Sequence, residues 1–136
     1  MNPLKALVER HQADTLPATT SSIEALEGTL GFALSREYKD YLSTFGVIVY
    51  DAYETYGLGV KADSYLNVQV AHADLSRDPA YPKNCVPVLE LGDGQYYLYD
   101  NASGKVVLWA TPNGGIVRVL EEGLEGFLIK YIFEAS

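Results

Sequence analysis

Three carboxylates lie close together in the sequence, in and beside a glycine-containing turn. Glu90, Asp93 and Asp100 surround the stretch "GDGQYYLY". Paired carboxylates can catalyse glycoside hydrolysis, and clustered carboxylates can bind calcium. However, Asp93 and Asp100 are at turn positions, where aspartate is favoured because its side chain hydrogen-bonds the local backbone, and no EF-hand spacing is present. The stretch therefore predicts a hairpin rather than a catalytic or metal site.

A second group of carboxylates is interleaved with aromatic residues. Asp51, Glu54 and Asp63 alternate with tyrosines in the segment from 50 to 65. Tyrosine anchors protein contacts, while carboxylates select a basic partner. The alternative is that the tyrosines enter a core and the carboxylates form its solvated face, and the sequence leaves both interpretations open. On the first interpretation the predicted partner-binding residues, including a second patch near the hairpin, are Asp51, Tyr53, Glu54, Asp63, Tyr65, Glu90 and Asp93.

Other chemistry-bearing residue types are sparse. His11 and His72 have no cysteine or histidine at metal-ligand spacing, and Cys85 begins an apolar run that predicts a buried, inert thiol. The sequence has no phosphate-binding glycine signature and no serine nucleophile motif. We predict no catalytic residue, no metal and no cofactor. An enzyme or small-ligand binder stays as an alternative that a deep pocket at His72 or a carboxylate pair would support.

Charge restricts the class of partner. Lys and Arg total 10 and Asp and Glu total 18, which gives a net charge of -8. Such a surface repels phosphate backbones and anionic lipid, so we expect neither nucleic acid nor a membrane as partner, whereas a basic protein is attracted. Acidity also serves solubility alone. A single cysteine, no signal-peptide pattern and no long apolar stretch predict a cytoplasmic protein, and the oligomeric state is open.

Apolar periodicity predicts the elements that position these residues. Helical spacing appears in four segments, at about 4–8, 23–30, 38–45 and 124–132. Ser21 and Glu24 are spaced as a capping box for the second helix, and Ser35 can cap the third. The aromatic stripe of the third helix, which includes Tyr38 and Tyr41, is predicted to be core. Acidic residues near the first turn of the last helix complement its positive end.

Between the helices the sequence changes to strand-like patterns. "VPVLEL", "QYYLYD", "KVVLWA" and "IVRVL" are separated by short turn sequences, which predicts antiparallel pairing. Asn113-Gly114 favours a type I′ turn. "VIVYDAYETYGLGV" is also strand-like, whereas "YLNVQVAHADL" is ambiguous between strand and helix. The predicted fold class is α+β, one domain over 1–136, with N-terminal helices and a C-terminal helix packed on a central, mostly antiparallel sheet.

The order of these signals resembles the SMI1/KNR4 family, also called the SUKH superfamily. The family's opening pattern, I-x-x-x-E-x-x-L-G-x-x-L-P-x-x-Y-K-x-F-L, is matched from Ile23 to Leu42, with Ser35 in place of Pro and Tyr41 in place of Phe. Four later elements also resemble the family: "ETYGL" at 54–58, "PKNCVPV" at 82–88, the hairpin at 92–109 and "LEGFL" at 124–128. The resemblance covers about 21–133.

This resemblance implies an α+β fold without an enzymatic site. Many bacterial members resemble immunity proteins, which bind and neutralise a cognate toxin, often a nuclease, of contact-dependent or polymorphic toxin systems. Fungal members act as interaction proteins in the regulation of cell-wall synthesis and in signalling. We expect an immunity protein that occludes a basic toxin surface. The alternative is a regulatory protein-interaction module of the same family without a toxin partner.

Overall fold

The computed structural model describes residues 1–134, in which helices and antiparallel strands are mixed. This architecture confirms the predicted α+β class. In chain order the elements are α1 (Asn2–Arg10), β1 (Asp14–Thr15), α2 (Thr20–Leu30), α3 (Arg36–Thr44), β2 (Ile48–Tyr50), β3 (Tyr53–Glu54), α4 (Val68–Leu75), β4 (Cys85–Gly92), β5 (Gln95–Asp100), β6 (Lys105–Ala110), β7 (Gly115–Val119), α5 (Leu124–Leu128) and a π-helical turn (Ile129–Phe133).

The strands form two antiparallel sheets rather than the single sheet expected from the sequence. One has the order β1-β2-β3 and the other has the order β4-β5-β6-β7. The chain leaves the first sheet after Glu54 and crosses to the outer side of β4, where the backbone N–H of Tyr56 donates to the carbonyl oxygen of Val88 at 2.8 Å. This hydrogen bond joins the two sheets at a seam, and the candidate site lies there.

The hairpins of the larger sheet show which turn signals are decisive. Gly92 pairs with Gln95, so Asp93-Gly94 is a two-residue loop, and both residues have positive φ, 54° and 75°, as a type I′ turn requires. The type I′ turn predicted at Asn113-Gly114 is wrong. Pairing there ends at Ala110 and Gly115, which leaves a four-residue loop in which Gly114 is not among the positive-φ residues.

Helix starts agree with the sequence in part. Ser35 caps α3 as predicted, since its Oγ accepts from the backbone N–H of Tyr38 at 3.1 Å. The capping box predicted at Ser21 is wrong: the N-cap of α2 lies two residues earlier, at Thr19, whose Oγ1 accepts from the backbone N–H of Ser22 at 3.2 Å. The ambiguous segment is a helix, α4, because Asn67 Oδ1 accepts from the backbone N–H of Gln69 at 2.9 Å and caps its first turn.

The aromatic stripe of α3 is core, as predicted. Tyr38, Tyr41, Leu42 and Phe45 are all buried, and they pack in a cluster that includes one face of β4, β5 and β6. The opposite face of that sheet holds a smaller cluster around Trp109, which Leu75 of α4 covers. Within residues 1–134, none of the helices combines the length and apolar character that crossing a bilayer requires.

Candidate partner-binding cleft

A cleft of ≈ 340 Å³ opens at the seam between the two sheets. Strand β3 contributes one wall and β4 contributes the other, while the segment before α4 and the π-helical turn close its ends. We call it the acidic tyrosine cleft, and the lining residues that define it are Tyr53, Glu54, Tyr56, Tyr65, Glu90 and Tyr131. Two carboxylates and four phenol rings therefore meet in one concave surface.

The floor of the cleft is fixed from behind by a buried hydrogen-bond chain. Tyr41 Oη donates to the carbonyl oxygen of Tyr56 at 2.9 Å and lies 2.5 Å from Thr55 Oγ1. Because the single phenol proton goes to the carbonyl, the Thr55 hydroxyl donates to Tyr41. Thr55 Oγ1 in turn accepts from the backbone N–H of Ile48 at 2.8 Å. The chain thus ties α3 and β2 to the backbone under the cleft.

The walls are held by aromatic contacts and by one strong hydrogen bond. Tyr65 Oη donates to Glu54 Oε2 at 2.6 Å, although the Tyr65 side chain is 65% exposed. The ring of Tyr53 meets that of Tyr131 edge-on, with centroids 5.5 Å apart. Tyr131 also contacts the ring of Tyr97, with centroids 5.2 Å apart. These contacts orient the phenol rings before any partner is present.

Tyr56 forms the floor and has an unusual environment. Its side chain is only 9% exposed, and its hydroxyl makes no hydrogen bond to any described residue. Burial raises the pKa of the Tyr56 phenol, and the nearby carboxylates of Glu90, Asp74 and Glu54 raise it further. The phenol oxygen is therefore a neutral hydrogen-bonding group surrounded by negative charge.

The carboxylates of the cleft lack cationic partners in the part of the chain that the structure describes. Within residues 1–134, the ion pairs of side-chain carboxylates involve Glu27, Asp40, Glu122 and Glu125, all outside the cleft. A second, larger cleft of ≈ 710 Å³ adjoins the first and shares Tyr56, Tyr65 and Glu90 with it. Asp74 and Arg77 both line this neighbour, so Arg77 supplies a positive charge to its lining. The first cleft itself is lined by acidic, aromatic and apolar residues.

The structure brings together four of the seven residues predicted to bind a partner. Tyr53, Glu54, Tyr65 and Glu90 line the acidic tyrosine cleft, so Glu90 joins the first group instead of forming a separate patch. Three do not line it and are exposed, namely Asp51, Asp63 and Asp93. Asp51 and Asp93 are each followed or preceded by a lining residue and have φ of 54° in tight turns. A role of all seven in binding stays a prediction.

Sequence reasoning missed two important residues of this site. Tyr56 belongs to the "ETYGL" element of the sequence. Its position at the floor of the cleft depends on its backbone hydrogen bond to Val88 of β4, which is more than thirty positions later in the chain. Tyr131 is part of the helical spacing predicted for 124–132 and is not among the predicted partner-binding residues. It is half-buried and presents its ring to both Tyr53 and the cleft. The helical spacing alone contained no signal for this second contact.

The remaining residues that the sequence analysis considered for chemistry are packed in the core or hydrogen-bonded within turns. Cys85 is buried, and burial raises the pKa of its thiol to about 12, so the reactive thiolate is suppressed. His72 packs between the rings of Phe32 and Tyr81, and burial lowers its pKa. Asp100 accepts from the backbone N–H of Ala102 at 2.8 Å, which is the turn role expected of it. Residues 1–134 contain no group of three or more His, Cys, Asp or Glu placed to hold a metal ion.

A different kind of surface lies along the free edge of β7. Ile116, Val117 and Val119 are exposed to 51%, 54% and 53%, respectively. The strand is at the end of its sheet, and Val117 is the extra residue at a register shift opposite Leu108 and Trp109. This edge is apolar and carries Arg118, so its charge and chemistry differ from those of the cleft.

Comparison with known proteins places the fold and the family. A crystal structure of a protein from Pseudomonas syringae pv. tomato superposes with a TM-score of 0.76 over 100% of both chains, at 16% sequence identity, a likeness that concerns the fold alone. No curated protein matches the sequence. The family model described as SMI1-KNR4 cell-wall matches residues 2–131, which is nearly the whole chain. The chain therefore belongs to the SMI1-KNR4 family, within the SUKH group.

Proposed function

We propose that this protein is an immunity protein that binds a basic bacterial toxin, for example a nuclease, and occludes its active or substrate-binding surface. The observation that supports the proposal is the acidic tyrosine cleft, whose carboxylates form no ion pair within residues 1–134. Glu90 is exposed and Glu54 is half-buried, so both carboxylates are accessible to the side chains of a basic partner. A basic partner would supply the missing charges.

The composition of the cleft suits protein recognition. Tyrosines are enriched where interfaces are tight, because each ring buries a large apolar area and its hydroxyl still finds a polar partner. Exposed Tyr65 and Leu91, which is 42% exposed, border the cleft and are available for such burial. The net charge of -8 would speed the approach of a basic partner. Inhibition by occlusion needs no catalytic residue, cofactor or metal in this chain.

The proposal places the protein in the cytoplasm, where a toxin would act on the cell's own nucleic acid. The negative surface would mimic the polyanion that a nuclease binds, and so compete with it. Neither nucleic acid nor a membrane is a partner in this account, because both are negatively charged. The oligomeric state has no role in it.

A growth-rescue experiment tests the proposal. The toxin encoded beside this protein's gene is expressed with the wild-type chain, with Glu54→Lys/Glu90→Lys, or with Glu9→Lys/Glu24→Lys. The last variant makes the same change of net charge at exposed helical positions outside the cleft. We expect rescue by the wild type and by the helical variant, and loss of rescue with the cleft variant. Equal rescue by both variants would remove the cleft from the mechanism, and no rescue by the wild type would remove the function.

A second candidate function is that of a regulatory interaction module without a toxin partner. The description of the matching family as SMI1-KNR4 cell-wall favours it, since that name refers to a cellular process other than toxin immunity. Gene neighbourhood discriminates between the two. A large multidomain toxin gene directly upstream favours immunity, whereas capture of cell-wall enzymes or regulators from the native host, lost with Glu54→Lys/Glu90→Lys, favours regulation.

A further inference from the structure

We propose that the acidic tyrosine cleft is a binding site for one cationic side chain, arginine or lysine, of the partner protein, with the Tyr56 hydroxyl as the hydrogen-bond acceptor at its floor. The inference rests on the proposed function only in that a protein partner carries the cation. The inference goes beyond the proposed function by naming the chemical group that would enter the cleft and the oxygen atom that would accept its hydrogen bond.

The first argument is the unpartnered hydroxyl of Tyr56. Most of the Tyr56 side chain is buried, but its hydroxyl oxygen, unlike the enclosed one of Tyr38, is open to the cleft that it lines. The Tyr56 side chain is 9% exposed, lines both adjoining clefts and has no partner among residues 1–134. A donor from outside the chain would satisfy its oxygen, and arginine and lysine side chains are donors only.

The second argument is the placement of charge around that hydroxyl. Glu54 and Glu90 line the cleft together with Tyr56, one from β3 and the other from β4. Glu54 already accepts from the Tyr65 hydroxyl at 2.6 Å, which holds its carboxylate in place. A cation between the two strands would contact both carboxylates, and such charge-assisted hydrogen bonds are about twice as strong as neutral ones.

The third argument is the aromatic and apolar lining. The rings of Tyr53 and Tyr131 meet edge-on at 5.5 Å, and the faces of such rings attract guanidinium and ammonium groups. Leu66 and Leu89 also line the cleft and offer apolar surface to the methylene stem of a long cationic side chain. A bare metal ion would gain nothing from these rings and leucines, so an organic cation fits this lining better.

Nuclear magnetic resonance of the full chain tests the inference without any toxin. The probes are N-acetyl-arginine amide, N-acetyl-lysine amide and, as a neutral isostere of arginine, N-acetyl-citrulline amide. We expect saturable shifts of the Tyr56 ring signals with one or both cationic probes and none with the citrulline probe. The tighter of the two cations identifies the side chain that the site prefers. Equal binding of the citrulline probe would overturn the inference.

Variants provide the matched controls. Tyr56→Phe removes only the hydroxyl, and we expect the dissociation constant of the cationic probe to rise about tenfold, as expected for loss of a hydrogen bond to a charged group. Tyr38→Phe is its control, because the Tyr38 hydroxyl is also unpartnered but is buried in the core. Glu54→Gln/Glu90→Gln should abolish binding, whereas Glu9→Gln/Glu24→Gln should not. Unchanged binding by the Tyr56 and Glu54/Glu90 variants would overturn the inference.

The outcomes separate this inference from the proposed function. If the cationic probes bind at Tyr56 but the wild-type chain rescues no toxin, the immunity function fails and the binding site stands. If the wild-type chain rescues growth and Tyr56→Phe and Glu54→Gln/Glu90→Gln rescue equally well, the function stands and the cationic side-chain site fails.

Discussion

Helices α2 and α3 contain the same residue types as the acidic tyrosine cleft, but several of their polar groups have partners within the fold. In these two helices carboxylates accept hydrogen bonds from backbone N–H groups. Glu37 accepts from those of Leu124 and Glu125 at 3.2 and 3.1 Å. Glu27 accepts from the backbone N–H of Leu34 at 2.7 Å and pairs with Lys39. In the cleft, Glu90 has no ion pair within residues 1–134.

Tyrosines show the same contrast. The buried hydroxyl of Tyr41 donates to one group and accepts from another, so it stabilises the fold. The hydroxyl of Tyr56 makes neither contact with a described residue, although its side chain is nearly as buried. The comparison teaches that burial alone does not separate core from site. The Tyr38 hydroxyl is unpartnered within residues 1–134 but enclosed in the core, so an unpartnered polar atom indicates a site only where it also opens into a cleft, as that of Tyr56 does.

The largest effect that the comparison predicts is on binding. Glu54→Lys/Glu90→Lys should weaken the complex with the cognate toxin by at least about 100-fold, because like charges then face the partner's cation. The loss should include a slower association rate that depends less on salt. Calorimetry and stopped-flow mixing over a salt series measure both quantities. Glu9→Lys/Glu24→Lys is the control, and a similar loss in that control would mean that only net charge matters.

The next effect is on stability and distinguishes two buried tyrosines. Tyr41→Phe leaves the Tyr56 carbonyl without its donor and the Thr55 hydroxyl proton without its acceptor, so the free energy of unfolding should fall by about 2 kcal/mol. Tyr38→Phe deletes a buried hydroxyl that has no partner within residues 1–134, so it should leave stability unchanged or raise it by about 1 kcal/mol. Urea denaturation of the three proteins measures the difference. Equal destabilisation by the two variants contradicts the assignment of partners.

A smaller effect concerns the carboxylate that caps α5 from a distance. Glu37→Ala should lower the free energy of unfolding by about 1 kcal/mol, since two backbone donors at the start of α5 lose their acceptor. Glu24→Ala, at an exposed position of α2, is the matched control and should stay within about 0.5 kcal/mol of the wild type. Thermal or urea denaturation compares them. The capping role would be refuted by a Glu37 variant as stable as the control.

The smallest effect is a pH dependence that belongs to Glu27. Its hydrogen bond from the Leu34 backbone, with a smaller contribution from Lys39, lowers the pKa of this carboxyl. A lowered pKa in the folded state means that the contribution is complete above the unfolded value of about 4.3 and is lost as pH falls through the folded value. The stability difference between wild type and Glu27→Gln should therefore shrink between neutral and acidic pH. A difference that stays constant down to acid pH would exclude this contribution.

Local signals predicted much of the fold. The Asp93-Gly94 turn, the Ser35 cap and the buried stripe of α3 all depend on residues within a few positions of one another. Long-range contacts were not accessible in this way. The acceptor for the start of α5 is Glu37, 87 positions earlier, whereas the sequence offered acidic residues beside the helix itself. The split into two sheets likewise depends on where the chain crosses after Glu54.

The residues of the candidate site also separate into those predictable from local sequence and those brought in by long-range contacts. Tyr53, Glu54 and Tyr65 were predictable as an acidic, aromatic group because they are close in sequence. Glu90 joins them only because β4 lies beside the segment that follows β3, a pairing that no local pattern encodes. For the same reason the sequence did not show that Tyr56 is the floor, since its unpartnered hydroxyl is a property of the assembled seam.

Hydrogen exchange of this protein alone and in complex with its cognate toxin tests the central claim most directly, because it requires no substitution. If the acidic tyrosine cleft receives the toxin, protection on binding should concentrate in its rim, at the turns of Asp51-Ala52 and Leu91–Asp93 and in the segment around Tyr65. Protection confined to the β7 edge or to α2 and α3, with the cleft unchanged, would contradict the account.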